Sequence, residues 1–556
     1  MSMRRWRPTR ATSGLRATGT WTFWPRSKRI RCAHRRPVRT ARERDTGERF
    51  AIDRVAITIT APRTGPAFAE WISMSDELVR ATTSLCSTCK RSVDATIWRS
   101  AGRVVMRKRC PRHGSEEVVV SSNAAWYDAT MNEAPILTPP AGAAPASQGC
   151  PFDCGPCTSH EQQVLLPIVP ITSACNLDCP ICYTHNRNEG AFHMSQDQLR
   201  AILGHVRRAD PGNRMINLTG GEPTQHPDFE RLVELCHAEG INRITISTHG
   251  LRFLKDEWLL ERLAALDARI VLSFDSFTPG TNIDMLGGNF YQAKMRVLAL
   301  LEKHKVDTTL LPVLARGSND HEVGAFVKLA LEKDFIRSVE LHTMTFTGQG
   351  GARFDRRGRY TTYDVLADLE KQTGGALRID DFVPSPSSHP MCYLITYMLR
   401  LDDGRWLPFT RFMERADLRA LLTGTLYLEP TPQVELRLQD VITRLWAGEM
   451  ESPDSDIILA TLKGLLARMF APGLSTEQRM RIGEQSSKAI YIHSHMDEET
   501  FDTDRIRQCC VGIREADGRN VPSCAYNILY RDRDTRFSVA PGAPVATLGS
   551  GRLAVS

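Results

Sequence analysis

The chain has 556 residues, 42% of them hydrophobic, enough for a large core and about two to four domains. No apolar run approaches the roughly 18 residues needed to cross a bilayer, which excludes a transmembrane reading. The net charge of +7 is unevenly placed: residues 1–73 hold 17 Lys/Arg against 5 Asp/Glu, a balance of +12, which leaves −5 for residues 74–556 and argues against a nucleic-acid partner.

Fifteen cysteines are many for this length. They fall in short C-x2-C and C-x3-C groups inside a βα-patterned chain without a secretory h-region. That pattern points to metal in a reducing compartment, the cytoplasm, and away from disulfides. Only Cys32 and Cys236 stand outside these groups and a C-terminal set. Cys236, in DFERLVELCHAEG, is expected to be a buried packing residue.

Residues 1–73 are rich in Arg, Thr and Trp, poor in acids, and show no sustained apolar period. They are expected to be disordered. A transit peptide, a basic nucleic-acid arm and a translated stretch upstream of the true start all fit. The abrupt opening Met74-Ser75-Asp76-Glu77 favours the last.

Residues 74–138 contain Cys86-x2-Cys89, a hairpin-like run from Thr96 to Arg107, then Cys110-Pro111-Arg112-His113. Two knuckles joined by a hairpin suit one tetrahedral zinc or rubredoxin-like iron held by Cys86, Cys89, Cys110 and His113. The alternative makes His113 a turn residue and another thiolate the fourth ligand. After an Ala/Pro-rich linker, residues 139–163 carry Cys150, Cys154 and Cys157 in a C-x3-C-x2-C array. An auxiliary iron–sulfur cluster is the favoured reading and a structural zinc its rival. The fourth ligand, His160 or a distant cysteine, stays open.

From residue 164 to 351 strand-like and helix-like runs alternate. The strands read Val164–Thr172, Met215–Thr219, Arg243–Thr248, Arg269–Phe274, Asp307–Leu314 and Ser338–Met344. Ser195-x2-Gln198 forms a capping box ahead of an apolar stripe at Leu199, Ile202, Leu203 and Val206. Six βα units predict an α/β fold, a partial (β/α)6 TIM-type barrel with its site at the C-terminal strand ends. There the stretch ITSACNLDCPICYTHNRNEG places Cys175, Cys179 and Cys182 in C-x3-C-x2-C. Three thiolates can cap three irons of a 4Fe-4S cluster and leave the fourth open to a substrate or cofactor; a zinc knuckle is the plainer alternative. In Thr219-Gly220-Gly221-Glu222-Pro223-Thr224 the two glycines allow close backbone approach to a ligand, and the Glu222 carboxylate could accept from an ammonium group. Ser247–Gly250, Ser273–Ser276 and Ala315–Gly317 fall at further strand ends.

Residues 352–536 read as a separate, helical C-terminal region, with helix-like segments Val434–Met450 and Asp456–Phe470 and a second capping box at Ser475/Gln478. Cys392, Cys509, Cys510 and Cys524 suit a second auxiliary cluster, although adjacent cysteines seldom bind one cube well, which leaves open whether Cys509 or Cys510 ligates. Residues 537–556 are expected to be a disordered tail.

The order of these parts resembles the multi-cluster radical S-adenosylmethionine (SAM) subfamily that includes archaeal tetraether lipid synthase, whose founding members were also described as pterin methyltransferases. The resemblance covers roughly residues 84–530. It implies that SAM chelates the open iron at Cys175/Cys179/Cys182 and that Gly220, Gly221, Glu222 and Pro223 hold its amino group. It further places the ribose and carboxylate near the third and fourth strand ends, with Ser273 and Asp275 as candidates, and Phe346–Gly351 near the adenine or substrate. The implied cofactors are one SAM-binding and two auxiliary 4Fe-4S clusters, SAM, and one mononuclear Fe or Zn. A ferredoxin- or flavodoxin-type electron donor is the implied partner. The implied chemistry is reductive cleavage of SAM to a 5′-deoxyadenosyl radical that attacks an unactivated C–H, giving a C–C bond or methyl group on a lipid or pterin-like substrate. Any lipid access is then peripheral at the membrane. Ile181 stands where many radical SAM enzymes have an aromatic, and Tyr183 is the nearest replacement. Two rival classes remain: a peptide maturase with auxiliary clusters, and a non-enzymatic iron–sulfur carrier, which would explain the cysteines but not GGEPT.

Overall fold

A computed structural model describes residues 76–538 apart from Pro156, 210–214 and 451–452. The basic segment at 1–73 and residues 539–556 of the expected tail lie outside the described residues.

The first described element is an antiparallel ribbon of β1 (Glu77–Leu85), β2 (Ser92–Ser100), β3 (Arg103–Cys110) and β4 (Gly114–Ser121), paired in that order. Its turns bring the two knuckles to one end. A buried cation fastens it to distant chain: Lys108 donates to the carbonyls of Leu85 (2.7 Å), Glu498 (2.7 Å) and Glu499 (2.9 Å). An ammonium has three donors, and all three are used.

The second sheet contains β5 (Leu166–Thr172), β6 (Met215–Gly220), β7 (Arg243–Thr248), β8 (Arg269–Ser273), β9 (Thr308–Leu311), β10 (Val313–Leu314) and β11 (Ile336–Thr343). The six predicted strands are present within a few residues of their expected bounds. The run over 307–314 is divided into β9 and β10 at Pro312, which has no N–H to give to a ladder. The helix Gln196–Ala209 keeps its capping box, with Ser195 N to Gln198 Oε1 at 2.8 Å and Gln198 N to Ser195 Oγ at 3.2 Å. Its stripe Leu199, Ile202, Leu203 and Val206 is buried against the sheet, and Cys236 is fully buried beside Leu232 and Val233. The fold is an α/β partial TIM-type barrel.

The expectation of a separate helical C-terminal region is corrected. Residues 383–522 supply β12 (Val383–Pro384), β13 (Tyr393–Arg400), β14 (Trp406–Pro408), β15 (Ser487–His493), β16 (Val511–Arg514) and β17 (Asn520–Pro522). The sheet runs β12-β13-β15-β11-β9-β8-β7-β6-β5-β16-β17. β15 pairs parallel with β11, and β16 parallel with β5, so the C-terminal region extends the barrel at both edges. The two helical segments form, at Pro432–Trp446 and Ser455–Met469, and pack in a second core over β13 and β15. The expected tail is also corrected at its start: the Phe537 ring is 1% exposed and meets Phe192 edge-on, with Arg531 and Arg536 over it.

The helix Thr476–Ser486 lies across the N-terminal ends of the strands. Glu484 accepts from Arg243 (2.7 Å) and, with both oxygens, from Arg269 (2.7 and 2.9 Å), the first residues of β7 and β8. Burial alone would raise its carboxyl, but the two guanidinium groups hold it down to about 2. Removing one partner of such a buried set strands the others. Glu484→Gln is expected to cost about 3–5 kcal/mol and lower the thermal midpoint in circular dichroism by several degrees, whereas Asp197→Asn on an exposed pair leaves it unchanged.

Candidate functional site: a cysteine-lined cavity at the barrel mouth

The C-terminal strand ends enclose a cavity of about 290 Å³. Cys175, Cys179 and Cys182 line it, carried on the loop that follows β5. That loop is pinned at several points. Cys175 N donates to Asn188 Oδ1 (2.9 Å), Ser173 Oγ to Arg187 O (2.9 Å), Ile181 N to Met285 O (3.1 Å) and Gly350 N to Cys182 O (3.1 Å). Burial pushes the Cys175 thiol up to about 12 and the Cys179 thiol higher still. Thiolates gathered in so dry a pocket need a cation to stabilise them, which is what a metal centre supplies. The donor set therefore fits an iron–sulfur cluster.

The reason for the two glycines differs from the expected ligand approach. A Cβ on Gly220 would overlap Thr172 O, and one on Gly221 would overlap Ala174 O. The backbone of the cysteine loop occupies that space, with Gly221 N donating to Thr172 O (2.9 Å) and Glu222 N to Ala174 O (2.8 Å).

Glu222 also departs from expectation. Its side chain is buried, and protein groups fill both oxygens: Oε1 accepts from Thr224 Oγ1 (2.6 Å), Thr224 N (3.1 Å) and Thr248 Oγ1 (2.6 Å), and Oε2 from His249 N (2.9 Å). His249 Nε2 lies 3.3 Å from the same Oε2 and 2.8 Å from Asn176 Oδ1. Burial opposes ionisation, but the His249 ring and these donors hold the carboxyl below its ordinary value. Pro223 is buried behind the turn and opens a 3-10 helix, away from the cavity wall.

Ser273 and Asp275 both line the cavity after β8. Asp275 Oδ1 accepts from Val313 N (2.9 Å), while its buried Oδ2 has no partner among the described residues. Burial raises this carboxyl to about 6. An orphaned acceptor aimed at a cavity calls for a ligand donor, so the residues fit a hydroxyl-bearing cofactor such as SAM.

Sequence reasoning missed Lys294. From the helix Tyr291–Lys303 its ammonium donates to His249 O (2.7 Å), Ser273 O (2.6 Å) and Ser273 Oγ (3.2 Å). Burial lowers it to about 8, against the pull of Asp275. The signal was present: Lys294 opens the i, i+3, i+4, i+7 stripe completed by Val297, Leu298 and Leu301, where an apolar residue belongs. The segment Phe346–Gly351, expected near the adenine or substrate, backs the cysteine loop, since a Cβ on Gly348 would overlap the Tyr183 backbone. It lines a neighbouring cavity that shares Tyr183, Thr184, Asn527 and Arg531 with this one.

The remaining cysteines form three further groups. Cys86, Cys89, Cys110 and His113 each place one ligand atom within 4.8 Å of the others, a spacing that fits one tetrahedral metal. Cys150, Cys154 and Cys157 line a small pocket with His160, whose Nε2 already bonds Cys509 O at 2.9 Å. Cys392, Cys509, Cys510 and Cys524 converge on a third cavity between the ends of β15 and β16, with the Arg505 guanidinium 3.3 Å from Cys392 Sγ.

The sequence profile of the radical SAM superfamily matches residues 169–330, the barrel that holds the cysteine loop. This is a radical SAM enzyme. Its chemistry implies a 4Fe-4S cluster, SAM and a source of single electrons. A second profile, the HMPTM N-terminal zinc ribbon domain, matches residues 78–122. The chain is 25% identical over 491 residues to the 7,8-dihydro-6-hydroxymethylpterin dimethyltransferase of Methanocaldococcus jannaschii, covering 82% of this chain and 95% of that one. It is also 30% identical over 236 residues to the GTP 3′,8-cyclase of Mannheimia succiniciproducens, covering 40% of this chain and 65% of the cyclase. Among solved structures it overlaps Streptococcus suis SuiB bound to its precursor peptide (19% identity, TM-score 0.32, 39% of this chain and 46% of SuiB) and methylornithine synthase (16%, 0.31, 54% and 86%). Among the described residues no helix is long and apolar enough to cross a membrane.

Gly221→Ala tests the packing of the loop. The added methyl displaces Ala174 and with it Cys175, so reconstituted protein is expected to bind about four fewer irons per chain, measured by iron and sulfide assay, with its far-ultraviolet spectrum retained.

Proposed function

We propose that this enzyme uses SAM-derived radical chemistry to remove hydrogen from a compact, pterin-like heterocycle and put a methyl group in its place. The methyl comes from a second SAM that, with one electron from the electron-donor protein, leaves as S-adenosylhomocysteine. The observation that carries the reading is that one cavity holds the cysteine loop, the unpartnered Asp275 oxygen and a polar wall of Glu340, His342, His493 and His495. Likeness to a pterin dimethyltransferase along 82% of the chain supports the same substrate class.

When bound, the cluster and SAM supply a 5′-deoxyadenosyl radical by one-electron cleavage of the S–C5′ bond. The chain does the rest. Cys175, Cys179 and Cys182 hold the cluster, with Gly220 and Gly221 letting their loop pack against β6. Asp275 Oδ2 accepts from ligand hydroxyls, and Lys294 fixes the strand ends that carry Ser273 and His249. The apolar walls at Leu166, Ile168, Val511 and Ile513 keep water away from a reactive carbon. Cys150/Cys154/Cys157 and Cys392/Cys509/Cys510/Cys524 hold two auxiliary clusters, and a ferredoxin- or flavodoxin-type protein supplies the electrons.

Anaerobic reconstitution, reduction and mass spectrometry test this. With 7,8-dihydro-6-hydroxymethylpterin the expected result is 5′-deoxyadenosine together with a heavier pterin, and Cys182→Ala abolishes both while sparing the other metal centres. Unchanged pterin beside modified lipid or peptide would transfer the activity to those substrates and overturn the reading.

A second expectation concerns pH. A hydroxyl donated to Asp275 Oδ2 favours its charged form, so bound SAM lowers a carboxyl that stands at about 6 in the free site. SAM affinity is then full above pH 6 and weakens below it, by up to about tenfold per pH unit. Equilibrium dialysis between pH 5 and 8 reads this slope, and Asp275→Asn is expected to flatten it.

A further inference from the structure

The cavity wall formed by β11 and β15 carries a group of histidines that the radical chemistry does not require, and His495 stacks on Tyr183 of the cysteine loop with 5.7 Å between ring centroids. His342 and His493 are register partners on the parallel strands β11 and β15, and His495 lies two residues beyond the end of β15. The rings stand 5.1 Å (His342–His493), 5.1 Å (His342–His495) and 4.0 Å (His493–His495) apart between centroids. One ring nitrogen from each lies within 4.8 Å of one from each of the others.

Glu340 decides their tautomers. It stands two residues before His342 on the same strand, and its Oε1 is 2.9 Å from His342 Nε2 and 3.4 Å from His493 Nδ1. A carboxylate only accepts, so both nitrogens that face it carry hydrogen. The second nitrogen of each ring is then a bare lone pair. Three neutral imidazoles this close offer one lone pair each, and a cation among them would use all three. A carboxylate gripping the far nitrogen of a histidine is also how metal-ligating imidazoles are oriented.

We propose that His342, His493 and His495 bind one divalent cation of the zinc class, with a fourth position open to the cavity. Three neutral imidazoles suit zinc, cobalt(II) or iron(II), and three protein ligands leave room for one more. That position faces the space assigned above to substrate, so the ion would fix an oxygen or nitrogen donor of the substrate. The site adjoins the group Cys392/Cys509/Cys510/Cys524, whose cavity His493 and His495 also line with Cys524 Sγ 3.6 Å from His495 Nδ1, so a metal with no sulfur neighbour is what distinguishes it from that group.

The test uses the full chain with its iron–sulfur clusters built anaerobically, in a Cys86→Ser/Cys89→Ser background so that the N-terminal ribbon takes no zinc. After equilibration with Zn²⁺ alone and desalting, about one zinc per chain is expected, falling to near zero in the added His342→Gln/His495→Gln pair. X-ray absorption at the zinc edge is expected to show only nitrogen or oxygen neighbours at about 2.0–2.1 Å. Absence of zinc, an equal zinc content in the histidine variant, or sulfur neighbours at about 2.3 Å would each overturn the site. The absorption measurement needs no histidine variant, so misfolding of that variant does not blunt it. Because no turnover is read, failure here is distinct from failure of the proposed reaction.

Discussion

Glu222 is buried and ionised, and it stays so because Thr224, Thr248 and the His249 amide all turn toward it. The same interaction orders the mouth of the barrel. Thr248 and His249 belong to the end of β7, so the carboxylate ties the end of β6 to its neighbour. His249 continues the chain in two directions, through its ring to Asn176 on the cysteine loop and through its carbonyl to Lys294, which also grips Ser273. Four consecutive strand ends thus share one hydrogen-bonded network, and the cysteine loop is set by it before any ligand arrives. Preorganisation of this kind places the cost of ordering on folding and leaves less to be met on binding.

Much of this was legible in the sequence because its signals are local. Three cysteines in eight residues, the GGEPT turn and the period-3.6 stripe over Leu199–Val206 need no knowledge of distant chain. The functions of individual side chains were less legible. Gly220, Gly221 and Glu222 read as ligand contacts, yet each is engaged first by the protein, because a motif shows which residues meet but not which partner each one takes. Lys294 and the histidines were harder to read for another reason: Lys294 meets Ser273, 21 residues back, and only the parallel register of β11 and β15 brings His342 beside His493. The C-terminal strands were missed because Tyr393–Arg400 is almost wholly buried and shows no alternation of polar and apolar residues, so its periodicity carries no signal.

Of the cysteine groups, two are built where segments apart in sequence are brought together, the ribbon ends for Cys86 and Cys110 and the gap between β15 and β16 for Cys392 and Cys524, and two are local arrays on the segments before and after β5. Burial raises Cys175, Cys510 and Cys524 well above an ordinary thiol, so metal loading and completion of the surrounding fold depend on each other.

Placing β15 and β16 at opposite rims of the sheet has a consequence for biosynthesis. The ribosome finishes β11 at Thr343 and does not complete β16 until Arg514. At about 5–20 residues per second, the nascent sheet waits roughly ten to thirty seconds with both outer strands unpaired. Exposed strand edges of that kind invite intermolecular pairing. Overproduction without added chaperones is therefore expected to yield insoluble chains even where iron supply is ample.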